Sequence, residues 1–286
     1  MNSNRNASPW AGLKAAIAAI SALCAASCMS MERRALAYVE EAPALSIPDA
    51  TISDDDLAGL PPPVQRYFRY SGVIGKRRVS SFSVVIEARI RNGSDSPWMD
   101  MVMRQYNRLD EPARIVYIES KKPPMAGIDS YLGGKGRMHI KTMGFITVVD
   151  VRGPEMDSSA LVTFLNDLVL CPVGYFSVPV AWTAIDDGHA GLSLSWAGID
   201  VKATLTFAPD GRLLDWRSDD RYAEVKGRIL KDRWSTPFGD SIELSGMRIP
   251  GSGTGVHDYD GTPYGYVELE RVLSLTLDAE GLPVRP

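Results

Sequence analysis

A two-residue alternation of apolar and polar side chains begins at Phe82 and returns along most of the chain. Phe82, Val84, Ile86, Ala88 and Ile90 interleave with Ser83, Val85, Glu87, Arg89 and Arg91. Neighbouring side chains on a strand point to opposite faces, so this spacing predicts a strand with one buried row and one row near water. Asn92-Gly93 then supplies hairpin-turn chemistry. Met99, Met101 and Met103 form a second row beside Trp98, Val102 and Tyr106. Further strands are expected over 114–120, 125–132, 137–141, 146–152, 181–185, 190–196, 201–208, 213–219, 228–236, 241–249 and 264–277. Gly133-Gly134-Lys135-Gly136 and Pro209-Asp210-Gly211 have the composition of tight turns between them. Spacings this short exclude the long crossovers that parallel pairs need, which leaves an antiparallel meander. The expected fold class is mainly β (α+β), a single large curved antiparallel sheet or half-barrel of about eleven strands.

Helical spacing interrupts the strands in two places. Ser53 before Asp54, Asp55 and Asp56 reads as an N-cap followed by carboxylates at the positive end of a helix, a simpler account of that acidic run than a metal site. After Pro61-Pro62-Pro63, Val64, Tyr67 and Phe68 share one face, and two short helices docking an apolar stripe are expected. Leu161, Phe164, Leu165 and Leu168 recur at i, i+3, i+4 and i+7, with Asp157 and Ser158 as caps and Pro172 as the stop. This predicts a covering helix near 157–170 lying on something apolar.

The first thirty residues give an address. A polar lead with Arg5 and Lys14 runs into the uncharged stretch 15–27, rich in alanine and closed by Cys28, which is the layout of an export signal. The stretch is shorter than the roughly 20 residues that span a bilayer, although an uncleaved membrane segment remains the alternative. Ala25, Ala26 and Ser27 before Cys28 suit a general signal peptidase and also lipidation at Cys28. The expected organisation is therefore a signal peptide or membrane segment at 1–27, a tether at 28–52 and a single β-rich domain at 53–286. The expected location is the cell envelope of an exporting cell, with membrane attachment through the N-terminus. Cys171 is the one cysteine left for the domain, so no internal disulfide is expected. Acidic residues outnumber basic ones, 35 to 31, which argues against nucleic acid as a partner.

No segment spells out a reaction, a cofactor or a metal. His139, His189 and His257 lack ligand spacing. Gly251-Ser252-Gly253-Thr254-Gly255 leads into strand-like text rather than a helix, so it is not a phosphate cradle. His257-Asp258-Tyr259-Asp260-Gly261 reads as a hairpin tip rather than a calcium loop. Asp219, Asp220 and Arg221 could form an acid/base group, and with His257 they are the residues an envelope enzyme would use. Strand neighbours point apart, however, which favours a strand-end charge cluster. The methionine row suggests more. Unbranched thioether chains repack around irregular apolar shapes, as binding surfaces require, although core filling uses them equally well.

Several segments together resemble a known bacterial family. They are Leu-Pro-Pro-Pro-Val-Gln-Arg-Tyr-Phe-Arg-Tyr-Ser-Gly-Val-Ile-Gly at 60–75, Gln105-Tyr106-Asn107, Val148 through Glu155, Leu165-Asn166-Asp167, Phe207 through Gly211, Ser218-Asp219-Asp220-Arg221 and Arg233-Trp234-Ser235-Thr236-Pro237. The chain from Leu57 to Leu277 is similar to the domain of unknown function 6544, a resemblance that carries over no established activity and so transfers no catalytic residues. It departs from the family near 254–257, where members tend to carry an alanine–tryptophan pair. More loosely, the expected architecture resembles the half-barrel of periplasmic lipoprotein carriers, which implies an apolar cavity between a curved sheet and covering helices. The resulting expectation is an exported, membrane-tethered protein that binds a lipid or other apolar molecule, with Met99, Met101, Met103, Phe164 and Leu168 as its contacts. An envelope enzyme and a non-catalytic structural or partner-binding module are the alternatives.

Overall fold

The computed structural model describes residues 31–43, 47, 49–225 and 228–284. The first described element is a helix at 31–40 (α1), followed by α2 (Asp54–Leu57) and α3 (Pro62–Ser71). Six strands come next: β1 (Ser81–Ile90), β2 (Met99–Arg108), β3 (Ala113–Lys121), β4 (Pro124–Leu132), β5 (Lys135–Thr142) and β6 (Ile146–Val151). After α4 (Pro154–Asp167) come β7 (Ala181–Ala184), β8 (His189–Trp196), β9 (Ile199–Phe207), β10 (Leu213–Val225) and β11 (Arg228–Ser235). The last strands are β12 (Ser241–Leu244), β13 (Met247–Pro250), β14 (Gly253–His257) and β15 (Tyr264–Leu277).

Among the described residues, thirteen strands make one sheet in the order β6-β5-β4-β3-β2-β1-β15-β14-β11-β10-β9-β8-β7, and β12-β13 is a separate hairpin. The pairings are antiparallel. Twist accumulated over so many neighbours curls the sheet into a half-barrel. The strand count exceeds the expected eleven in places where strands are short. The segment 241–249, expected to be one strand, folds back on itself because Ser245 and Gly246 both take positive φ (49° and 68°). β14 lies in glycine-rich text with no alternation to reveal it.

The connection between β6 and β7 creates the site. These two strands are consecutive in the chain but stand at opposite edges of the sheet. The linking segment must therefore cross from one edge to the other, through α4 and two 3₁₀ turns, Leu168–Leu170 and Pro172–Phe176. α4 touches β4 and β5 on one arm and β9 and β10 on the other, so it lies inside the concave face. Its buried residues fall around most of its circumference, as expected for an enclosed helix. Leu161, Phe164, Leu165 and Leu168 are all fully buried.

The two faces of the sheet bury separate cores. On the concave side, Phe82, Val84, Ile86 and Ala88 of β1 join α4 and α3. Tyr67 of α3 meets Phe207 at 5.5 Å between ring centroids, and Phe68 meets Phe176 at 4.8 Å. This is the docking expected for the Val64, Tyr67 and Phe68 stripe. Burying side chains of this size contributes on the order of 1.5–3 kcal/mol each. On the convex side, Met31, Ala35 and Val39 of α1 cover Tyr106, Ile115, Tyr117 and Ile128. Glu32 pairs with the buried Arg104, whose guanidinium carbon lies 4.9 Å from the Tyr117 ring. This part of the stretch read as a tether thus packs on the sheet. Residues 1–27 and Cys28 lie outside the described residues. Among the described residues, no helix is long and apolar enough to cross a membrane.

Candidate functional site

The concave face is not filled. Between the sheet and the α4 segment lies a cavity of about 130 Å³, partly open to solvent. One wall is the inward row of β1 to β3, with Ile86, Ile90, Met103, Val116 and Ile118. The same wall continues into β15 with Val267, Leu269 and Val272, where Val272 pairs with Ile86 and Val267 with Ile90, and Tyr266, Trp234 and Phe238 extend it from the C-terminal half. The crossing segment supplies Thr163, Asn166, Asp167, Val169 and Leu170.

The residues expected to touch a ligand are divided among different positions. Met103 lines the cavity. Met101 is buried in the neighbouring core at 5% exposure, and Met99 is half-buried at the start of β2. Phe164 and Leu168 are fully buried in the concave core and do not line the cavity. The apolar stripe of α4 is used for packing, and its more polar flank faces the space.

Two polar groups interrupt the apolar wall. The first joins four elements. Arg114 of β3 pairs through Nη1 with Asp129 of β4 at 2.5 Å and through Nε with Asp167 of α4 at 2.5 Å. Gln105 of β2 donates to the same Asp167 oxygen at 2.7 Å. Burial pushes the Asp167 carboxyl above its ordinary value, with Arg114 and Gln105 pulling the other way. Burial also opposes the Arg114 charge, but the two carboxylates outweigh it and hold the guanidinium protonated. Beside this cluster, Asn166 donates to Thr236 Oγ1 at 2.7 Å and ties the roof to the C-terminal half.

The second group lies on the β10–β11 and β14–β15 side. Arg221 lines the cavity with its guanidinium carbon 4.7 Å from the Trp234 ring and 5.9 Å from the Tyr266 ring. Trp234 donates through Nε1 to the Tyr266 hydroxyl at 3.2 Å. Tyr266 in turn stacks on His257, with centroids 3.9 Å apart. His257 Nδ1 bonds the fully buried Asp232, which also accepts the Asp258 N–H at 2.8 Å. Burial holds His257 below its ordinary value, Asp232 opposes that shift, and Arg221 adds to it.

The four residues considered for an acid/base group separate into two pairs. The register shift between Ser218 and Arg221 sends Arg221 inward and leaves Asp219 and Asp220 outside. Asp219 faces Arg233 at 3.5 Å, while Asp220 faces Lys231 at 3.5 Å and accepts the Lys202 N–H at 2.9 Å. Only Arg221 and His257 share a neighbourhood. The other two histidines lie elsewhere: His139 is buried on β5, and His189 pairs with Asp186 at 2.8 Å. Among the described residues, no cluster of three His, Cys, Asp or Glu side chains could hold a metal ion. Cys171 is buried in the core, which pushes its thiol up.

The sequence reading missed Arg114, Asp129 and Asp232. Each is a charged residue in an inward row, Arg114 in phase with Val116 and Ile118, Asp129 with Tyr131, and Asp232 with Trp234. That parity was the available signal. Four of the segments that carry the family resemblance meet at the cavity, through Gln105, through Asn166 and Asp167, through Arg221, and through Trp234 and Thr236. Gly255, in the segment where the resemblance departs, lines it as well.

Fold and cavity together define a class: a β half-barrel whose concave face holds a roofed, mostly apolar chamber. Within that class, the chain belongs to the family of unknown function DUF6544, whose model matches residues 50–269. It is also similar to the crystal structure of a domain assigned to outer membrane lipoprotein sorting from Vibrio parahaemolyticus, at 10% identity and a TM-score of 0.31, covering 69% of this chain and 85% of that one. A DUF1329 family protein from Desulfovibrio piger is similar at 12% identity and a TM-score of 0.34, covering 70% and 86%. At these TM-scores the likeness carries no functional weight. No protein of curated function matches the chain.

Proposed function

We propose that this protein binds an apolar or amphiphilic small molecule, such as a lipid, in the chamber under α4, and that it does so in the cell envelope, attached to a membrane through its N-terminus. The observation that carries the binding reading is the unfilled space itself. Interiors normally close to crystal-like density, yet about 130 Å³ remains between walls of Ile, Val, Met, Trp and Phe side chains. A dry cavity near 150 Å³ admits a benzene-sized guest, so a single ring or a short acyl segment enters without moving a wall. Longer tails would extend through the open side. Removing about 150 Å² of ligand surface from water would contribute on the order of 4 kcal/mol. The convergence of four family segments on the same walls supports the chamber, rather than the outer surface, as the working part.

Native mass spectrometry and lipid extraction after mild purification test this reading. The expected result is a non-covalent guest on the wild-type protein that is lost from Met103→Trp, where the indole fills the space, while the circular dichroism spectrum is retained. A guest-free wild type whose affinity for added apolar probes is unchanged in Met103→Trp would overturn it. The enzyme alternative draws on Arg221 and His257 alone, since Asp219 and Asp220 face outward, and the binding reading is preferred.

A further inference from the structure

We infer that the ligand carries a single oxyanion head, a carboxylate or a phosphate, and that Arg221 receives it at the cavity wall. This deepens the binding reading above and rests on it. Two cations line the chamber, and they differ in one decisive respect. Arg114 is engaged by Asp129 and Asp167, and this group of one guanidinium and two carboxylates leaves no positive excess to attract an anion. Among the described residues, Arg221 has no such partner. The acids nearest to it in the chain and across the sheet are committed elsewhere: Asp219 and Asp258 to Arg233, Asp220 to Lys231, and Asp232 to His257. The Nε of Arg221 is buried without a hydrogen-bond acceptor among the described residues.

A buried donor without an acceptor is costly, and one carrying charge costs more. Here the cost is tolerated at the boundary of an apolar chamber, with the guanidinium held over Trp234 and near Tyr266. Trp234 is itself fixed by its bond to the Tyr266 hydroxyl, and Tyr266 by stacking on His257. The guanidinium fork is therefore oriented before any ligand arrives. A planar, preorganised fork suits carboxylate and phosphate oxygens, and an apolar body attached to such a head would lie along the Val267, Leu269 and Met103 surfaces of the same chamber. An uncharged guest of the same shape would fill the chamber and leave Arg221 unanswered.

The test uses the fluorescent neutral probe N-phenyl-1-naphthylamine on the purified protein, displaced in turn by nonanoate, octyl phosphate and 1-octanol. The octyl body is constant, so the ratio of displacing concentrations reports the head. At least one anion is expected to displace the probe at about tenfold lower concentration than 1-octanol, and which of the two anions is stronger tells carboxylate from phosphate. In Arg221→Met the ratio should fall close to one, and in Arg221→Lys, which keeps the charge, much of it should return. Equal displacement by all three ligands in the wild type, or a preference that survives in Arg221→Met, would overturn the assignment while leaving the chamber as a binding site. A wild type that takes up no probe at all would remove the binding reading, and this inference with it.

Discussion

His257 is a base placed where its charged form is disfavoured. It is mostly buried, stacked on Tyr266 and close to Arg221, and Asp232 only partly offsets these effects. Its ordinary value is 6.5 and its folded value is lower, so below that pH the unfolded chain binds a proton that the folded chain refuses. Stability is therefore unaffected well above 6.5 and is lost as the pH falls through it, down to the folded value. His139 acts in the same direction, mainly through burial. Asp167, raised above 3.8, acts in the opposite direction at lower pH. Comparing variant with wild type cancels these shared contributions. Urea midpoints measured from about pH 7 to 5 should decline for the wild type and decline less for His257→Gln, which keeps a donor for Asp232. Parallel declines would show that His257 is not the group responsible. The dyad also shows what a residue-level reading of sequence can reach. Arg221 and His257 were visible as polar punctuation, but Asp232 sits 25 positions before His257 and meets it only because β14 pairs with β11.

Among the elements, α4 decides whether there is a chamber at all, and its distance from the sheet is set by one glycine. A Cβ placed on Gly136 of β5 would lie 2.3 Å from the Met156 carbonyl oxygen and 2.8 Å from the Ala160 Cβ. The helix rests directly on the strand backbone there. Asp157 fixes its first turn by accepting the Gly136 N–H at 2.8 Å and Lys135 Nζ at 2.9 Å. Gly136→Ala should therefore lift α4 and cost about 1–3 kcal/mol, read as a lower urea midpoint. An unchanged midpoint would mean that the helix shifts freely and that the chamber height is not fixed at this contact. The helix was legible because Leu161, Phe164, Leu165 and Leu168 repeat at helical spacing. The cavity wall was not, for a physical reason: periodicity reports the face that packs, and the residues left beside a void are those packing did not use, here Thr163, Asn166 and Asp167. The long strands were legible through alternation, whereas β14, at five residues with two glycines, has too few side chains to alternate.

At the scale of the whole molecule, the half-barrel presents different surfaces inside and out, and α1 belongs to the outside. α1 lies across the convex face, held by Met31, Ala35 and Val39 and by the pairing of Glu32 with Arg104. Cys28 precedes the first described residue of that helix by three positions. An acyl group on Cys28 would therefore hold the domain near the bilayer, with α1 acting as a fixed strut in place of a long free linker. One chain rarely gives lasting attachment, so the diacyl modification expected at such a cysteine is what the proposed membrane location requires. Mass spectrometry of the protein recovered from membranes should then find an acylated N-terminus at Cys28. Cys28→Ser should move the protein from the membrane pellet to the soluble fraction, with the probe binding of the chamber preserved because α1, the first described element after Cys28, packs on the convex face and the chamber lies on the concave one. An intact Met1 terminus on the membrane-bound protein would rule out lipidation and return the uncleaved segment at 1–27 as the anchor.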